Sequence, residues 1–150
     1  MDQHQIFGFL LHDVTRLYKR RFEQRSAQLS LTLSQCKTLS LLARNEGISQ
    51  RQLADLADID AMSIVRILDR MEADGWVERR ADPQDRRARR LAVTAKARPI
   101  LDQILEMGTA TRSEVLAGLD LDLRDQLVAL LEKCHSNLQG LQPLAQAVDS

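Results

Sequence analysis

Eight basic side chains, Arg79, Arg80, Arg86, Arg87, Arg89, Arg90, Lys96 and Arg98, crowd into residues 79 to 98, where only Asp82 and Asp85 offset them. The whole chain is formally neutral, with 21 basic and 21 acidic residues, so the remaining residues are on balance acidic. Guanidinium groups at this density pair with phosphate oxygens, and arginine gains further where a narrow groove concentrates negative potential. One basic segment on an otherwise acidic protein is a local footprint for a polyanion, and the acidic remainder keeps other faces away from it. A short way upstream, Ala61, Met62, Ser63, Arg66 and Arg70 are spaced to lie on the outer side of one helix. Small residues at a helix start let the backbone approach a base edge. A serine there bonds a base or phosphate, and an arginine bonds guanine bidentately or clamps a phosphate. Taken alone, either group reads equally well as a solvated surface, so the elements that carry them decide.

Capping signals divide the middle of the chain into short helices. Thr32 and Gln35 form a capping box for a helix to about Ala43, ended near Gly47. Ser49 and Gln52 repeat the device, with Ile48 and Leu53 placed as a hydrophobic staple, and predict a helix from about Gln50 to Ala57. Asp60 caps a third, to about Ala73 before Gly75, with Ile64, Val65, Leu68 and Met71 as its buried stripe. Two short helices joined by a tight turn make a helix-turn-helix.

Beyond Gly75 the periodicity changes. Residues 76 to 79 and 89 to 93 alternate partially, separated by Ala81-Asp82-Pro83-Gln84-Asp85, and predict a hairpin with a basic tip. A helix-turn-helix followed by a basic hairpin has a mechanical meaning on duplex DNA: the second helix enters the major groove and the hairpin, as a wing, reaches the flanking minor groove. In the wing, Arg86, Arg87 and Arg89 are the contact candidates, and Asp85 is placed to hold one guanidinium. Apolar faces recur at three- and four-residue steps in residues 6 to 22 and 123 to 141. Thr94 and Asp120 or Asp122 are the candidate caps of the two later helices, and Pro99 removes one backbone bond early in the first of them. These terminal faces exceed what a lobe of about 65 residues covers, which predicts a homodimer.

Other classes receive little support. There is no Gly-rich phosphate loop, no HExxH and no GxSxG, so no enzyme activity and no catalytic residues are expected. His4, His12 and His135 lack metal-ligand spacing, Cys36 and Cys134 form no CxxC pair, and neither a metal nor a cofactor is expected. No run of 18 apolar residues exists and the first residues are polar, so a soluble, cytoplasmic protein with no membrane partner is expected. The competing class is a winged-helix module that uses the same surfaces to bind another protein without specific DNA binding.

The chain resembles the MarR family of winged-helix regulators, most closely its SlyA-like branch. The resemblance lies in LTLSQ (31 to 35), QLADLADIDAMSIVRILDRMEADGWVERR (52 to 80), DPQDRRARRLAVTAKARP (82 to 99) and SEVLAGL (113 to 119). It implies a mostly α fold with a small β-hairpin wing (α+β). It further implies that the whole chain, 1 to 150, forms one MarR-like domain: a DNA-binding lobe over about 31 to 94, and dimerisation helices over about 1 to 30 and 95 to 150. It implies a homodimeric transcription regulator on a pseudo-palindromic operator, with Ser63 and Arg66 at groove-reading positions and Asp85 and Arg87 in the wing. The family often carries a pocket for small phenolic or carboxylate ligands, which assigns Cys36, Ser40 and Arg66 to a possible effector. Here Cys36 stands where the family often has an aromatic residue. Some relatives sense oxidants through a cysteine in the first helix, and this chain has none before Cys36.

Overall fold

A computed structural model describes residues 2, 4 to 142 and 144. Helix α1 (Phe7–Ser26) continues one turn beyond the apolar pattern that predicts it, because Phe22 and Ser26 are both buried at its end. After a short 3-10 turn, α2 (Leu33–Arg44), α3 (Gln50–Ala57) and α4 (Ala61–Ala73) follow at their expected places. Both capping boxes form. The Gln35 N–H donates to Thr32 Oγ1 at 3.2 Å and the Gln52 N–H to Ser49 Oγ at 3.1 Å. In return each glutamine Oε1 accepts from the cap residue's own N–H at 2.9 Å. Each box satisfies two amide donors that the first turn of a helix leaves orphaned.

Strands β1 (Val77–Ala81) and β2 (Arg89–Val93) pair antiparallel, from Val77 opposite Val93 to Ala81 opposite Arg89. The hairpin is tied back to the loop between α2 and α3 by two backbone bonds, Gly47 N–H to Leu91 O at 2.8 Å and Leu91 N–H to Ile48 O at 2.9 Å. The core below it is aliphatic: Leu39, Leu42, Leu53, Ile64 and Leu68 are fully buried, joined by Met71, Val77 and Leu91. Burying such side chains supplies about 1.5–3 kcal/mol each before ordering costs, so this cluster is what holds the helix-turn-helix and its wing in one frame.

Helices α5 (Arg98–Val115) and α6 (Leu121–Gln139) complete the chain. The expected cap at Thr94 is a correction: its side chain caps nothing, and its hydroxyl donates to the Gly75 carbonyl instead, joining the two ends of the hairpin. A 3-10 turn at Ala95–Ala97 intervenes before α5 begins. Pro99 therefore falls in the first turn of α5, where an amide would be unpaired in any case, and deletes no ladder bond. Asp120 caps α6, accepting from the Leu123 N–H at 2.9 Å. The chain divides into two compact units, Met1–Arg112 and Ser113–Ser150. In the first, α1 leaves Phe7, Phe9, Leu10, Val14 and Leu17 exposed; in the second, α6 leaves Leu121, Leu130, Leu131 and Leu138 exposed.

Candidate nucleic-acid interface

Helix α4 begins at Asp60, whose Oδ1 accepts from the Ser63 N–H at 2.8 Å while the Ser63 hydroxyl donates to Oδ2 at 2.7 Å. These bonds, the Ser63 hydroxyl first, hold the Asp60 carboxyl below the usual carboxylate range. Ser63, expected to face outward and free, is thus half-buried and already engaged in the cap. The stripe on the core side is Ile64, Leu68 and Met71, with Ile67 partly buried beside them. Val65 was expected in that stripe and is instead 36% exposed. At about 100° per residue, Ile67 falls on the stripe's shoulder and Val65 farther round, at its edge. Ala61, Met62 and Arg66 are exposed, and Arg66 has no hydrogen-bond or ion-pair partner among the described residues. Arg70 is less available: it donates to the Ser30 carbonyl at 3.2 Å and lies 3.9 Å from Asp74.

The basic run that the sequence presents as one group separates into two within the hairpin and the turn after it, with Arg98 lying apart at the start of α5. Arg79 is a clamp, 2.8 Å from Asp69 and 3.1 Å from Glu72 on α4. It is 21% exposed and binds β1 to the outer edge of the helix. Arg80 pairs with Glu78. Arg90 lies 3.0 Å from Asp82 and also donates to the Gly47 carbonyl at 2.9 Å. Lys96 donates to the Asp74 carbonyl, capping the end of α4. Arg86 and the side chain of Arg87 have no such partners among the described residues, and Arg89 reaches only its neighbour's carbonyl at 3.5 Å. All three are exposed at the wing tip.

Asp85 does not hold a guanidinium. Its Oδ1 accepts the backbone N–H of Arg87 at 2.9 Å and shapes the turn. In the loop of the wing, the carboxylate that holds a guanidinium is Asp82. The Gln84 backbone N–H and then Arg90 keep its carboxyl below the ordinary range. The antiparallel register is what could have found it, since Asp82 and Arg90 lie just beyond and within the last pairs of the ladder.

A second feature is an open groove of about 350 Å³ between α1, α2 and α5. Its floor is apolar, with Phe22, Leu33, Leu101 and Ile104, and Lys37, Arg44 and Arg112 stand around it. Cys36 and Ser40 line it and Arg66 does not. The Cys36 side chain is 1% exposed, and burial pushes its thiol up to about 11. Among the described residues no group of three or more potential metal ligands occurs, and no helix is long and apolar enough to cross a membrane.

Three helices with a helix-turn-helix at α3 and α4, closed by a two-stranded wing, define a winged helix-turn-helix protein. Residues 31–88 match the model of the MarR family. The transcriptional regulator PA3341 is 29% identical, with a TM-score of 0.81 over 90% of this chain and 99% of that one. A cysteine-to-serine mutant of MarR from E. coli, crystallised in complex with operator DNA, is 28% identical, with a TM-score of 0.77 over 89% and 99%. The regulator SlyA, 24% identical with a TM-score of 0.77 over 92% and 94%, shares the fold.

Proposed function

We propose that this chain is a homodimeric, sequence-specific regulator of transcription that binds a pseudo-palindromic site in double-stranded DNA. The observation that carries the reading is the sorting of its cations. Among the described residues, Arg66 on the outer face of α4 and Arg86, Arg87 and Arg89 at the wing tip have no side-chain ion partner, while Arg79 ties the wing to α4 and Arg90 is spent on Asp82 and the Gly47 carbonyl. The unpaired set reads the major groove and clamps the flanking phosphates, and the paired set fixes the distance between those tasks. The similarity to a MarR crystallised with operator DNA supports the same docking.

Dimerisation sets the spacing. Two recognition helices match half-sites about one helical turn, roughly 34 Å, apart. A small aromatic or carboxylate effector in the groove beside Cys36 and Ser40 alters that spacing and lowers DNA affinity, and DNA reciprocally weakens its binding.

Selection of bound sequences from random duplex DNA, followed by salt titration, tests the reading. A preferred palindromic site is expected, with affinity falling steeply and linearly in log salt because condensed counterions are released. Arg66→Ala is expected to cost about 1–3 kcal/mol per half-site on the preferred site if it reads a base. Arg87→Ala is expected to weaken all sequences together. Salt-insensitive binding without sequence preference would assign these surfaces to a protein partner instead.

A further inference from the structure

The outer face of α4 has an unusual composition for a surface meant to meet a polar groove. Taking Ile64 as the core direction and about 100° per residue, the side chains pointing most directly away in the first two turns of α4 are Met62 and Arg66, one turn apart. Met62 is 70% exposed and Val65, at the edge of the core stripe, is 36% exposed. The other polar side chains on this side are committed elsewhere: Ser63 to Asp60, Arg70 to Ser30 and Asp74, and Asp69 to Arg79. What is left to meet a base edge is one guanidinium and an apolar ridge. In the major groove the only apolar group on any base pair is the C5-methyl of thymine. An unbranched, polarisable methionine side chain adapts readily to such a contact, and Arg66 together with the wing arginines supplies the charge that draws the duplex onto it.

We infer that Met62 reads a thymine methyl group in each half-site, one or two base pairs from the base or phosphate that Arg66 holds. The inference rests on the DNA-binding reading above and adds to it the chemistry by which this chain selects its site. Ser63, held in the cap, then takes no direct part in discrimination.

The test uses the full chain and the sequence preferred in the random-pool selection, resynthesised with uracil in place of each thymine in turn. This substitution removes the methyl group and leaves the hydrogen-bonding pattern intact. One position per half-site is expected to lose about fourfold in affinity when its methyl is removed, the transfer value of one methyl-sized group, and roughly fifteenfold when both half-sites are changed. Met62→Ala, at an exposed position that leaves the core intact, is expected to bind the thymine and uracil forms equally. A preferred site bound with the same affinity in both forms would overturn the inference while leaving the DNA reading standing. So would a Met62→Ala protein that keeps the preference for thymine, since the methyl would then be read elsewhere. A pool that yields no preferred sequence overturns the DNA reading, and this inference with it.

Discussion

Cys36 and Cys134 are the same residue type in opposite situations. Cys134 is exposed on α6, whereas Cys36 is enclosed beneath the groove with its thiol pushed up to about 11 by burial. A thiol is nucleophilic only as thiolate, so Cys36 in the folded protein behaves as a small apolar side chain. Linkage gives this a consequence for stability. The folded pKa lies above the ordinary 9.0, so the contribution is fully present below about pH 9 and is lost as pH rises towards 11. Across that window the unfolded chain releases the proton while the folded one keeps it. Denaturant titrations at pH 8, 9, 10 and 11 are expected to show stability falling with a slope approaching about 1.4 kcal/mol per pH unit. The Cys36→Ala protein should lack that component. Equal slopes in the two proteins would mean that the thiol is not shielded as the structure has it.

Among the elements, the wing and α4 are mounted on each other by Arg79. Its two carboxylate partners, Asp69 and Glu72, are themselves substantially exposed, so the pair contributes orientation more than energy. Arg79→Met is expected to cost about 1 kcal/mol in global stability, together with faster amide exchange in residues 77 to 81. Arg79→Lys is expected to restore little, because a single ammonium cannot span both carboxylates as a guanidinium fork does. Native-state hydrogen exchange separates the two effects. Unchanged protection in β1 of the methionine variant would show that the hairpin is held by its backbone bonds to Gly47 and Ile48 alone.

At the scale of the whole molecule, α1 exposes phenylalanines and leucines, and α6, in the other unit, exposes a leucine-rich face of its own. Each removes about 25 cal/mol from the free energy of association for every Å² it buries, against the cost of ordering two chains. A dimer of the 17.0 kDa chain is therefore expected at micromolar concentration. Leu10→Glu in α1 or Leu130→Glu in α6 is expected to shift it to monomer or aggregate and to abolish tight operator binding. Sedimentation equilibrium of the wild-type and variant proteins checks this. A wild-type chain that is monomeric and well behaved at such concentrations would remove the basis for paired half-sites.

Local chemistry was enough to place α2, α3 and α4. Capping boxes, the Asp60 cap and the change from a helical to an alternating period act over four or five residues, and a linear sequence displays them in full. The basic tip of the wing was legible for the same reason. What the sequence could not divide was the arginine run, since whether a guanidinium is free or spent depends on what lies across a strand or on the next helix. Asp69 is ten residues from Arg79, and Gly47 is 43 from Arg90. Ser63 and Val65 went astray likewise: a side chain near the edge of an amphipathic stripe is turned inward or outward by its neighbours in space. The groove beside Cys36 and Ser40 is wholly tertiary. It exists because α1 and α2 meet α5, which begins far along the chain at Arg98, around one aliphatic core.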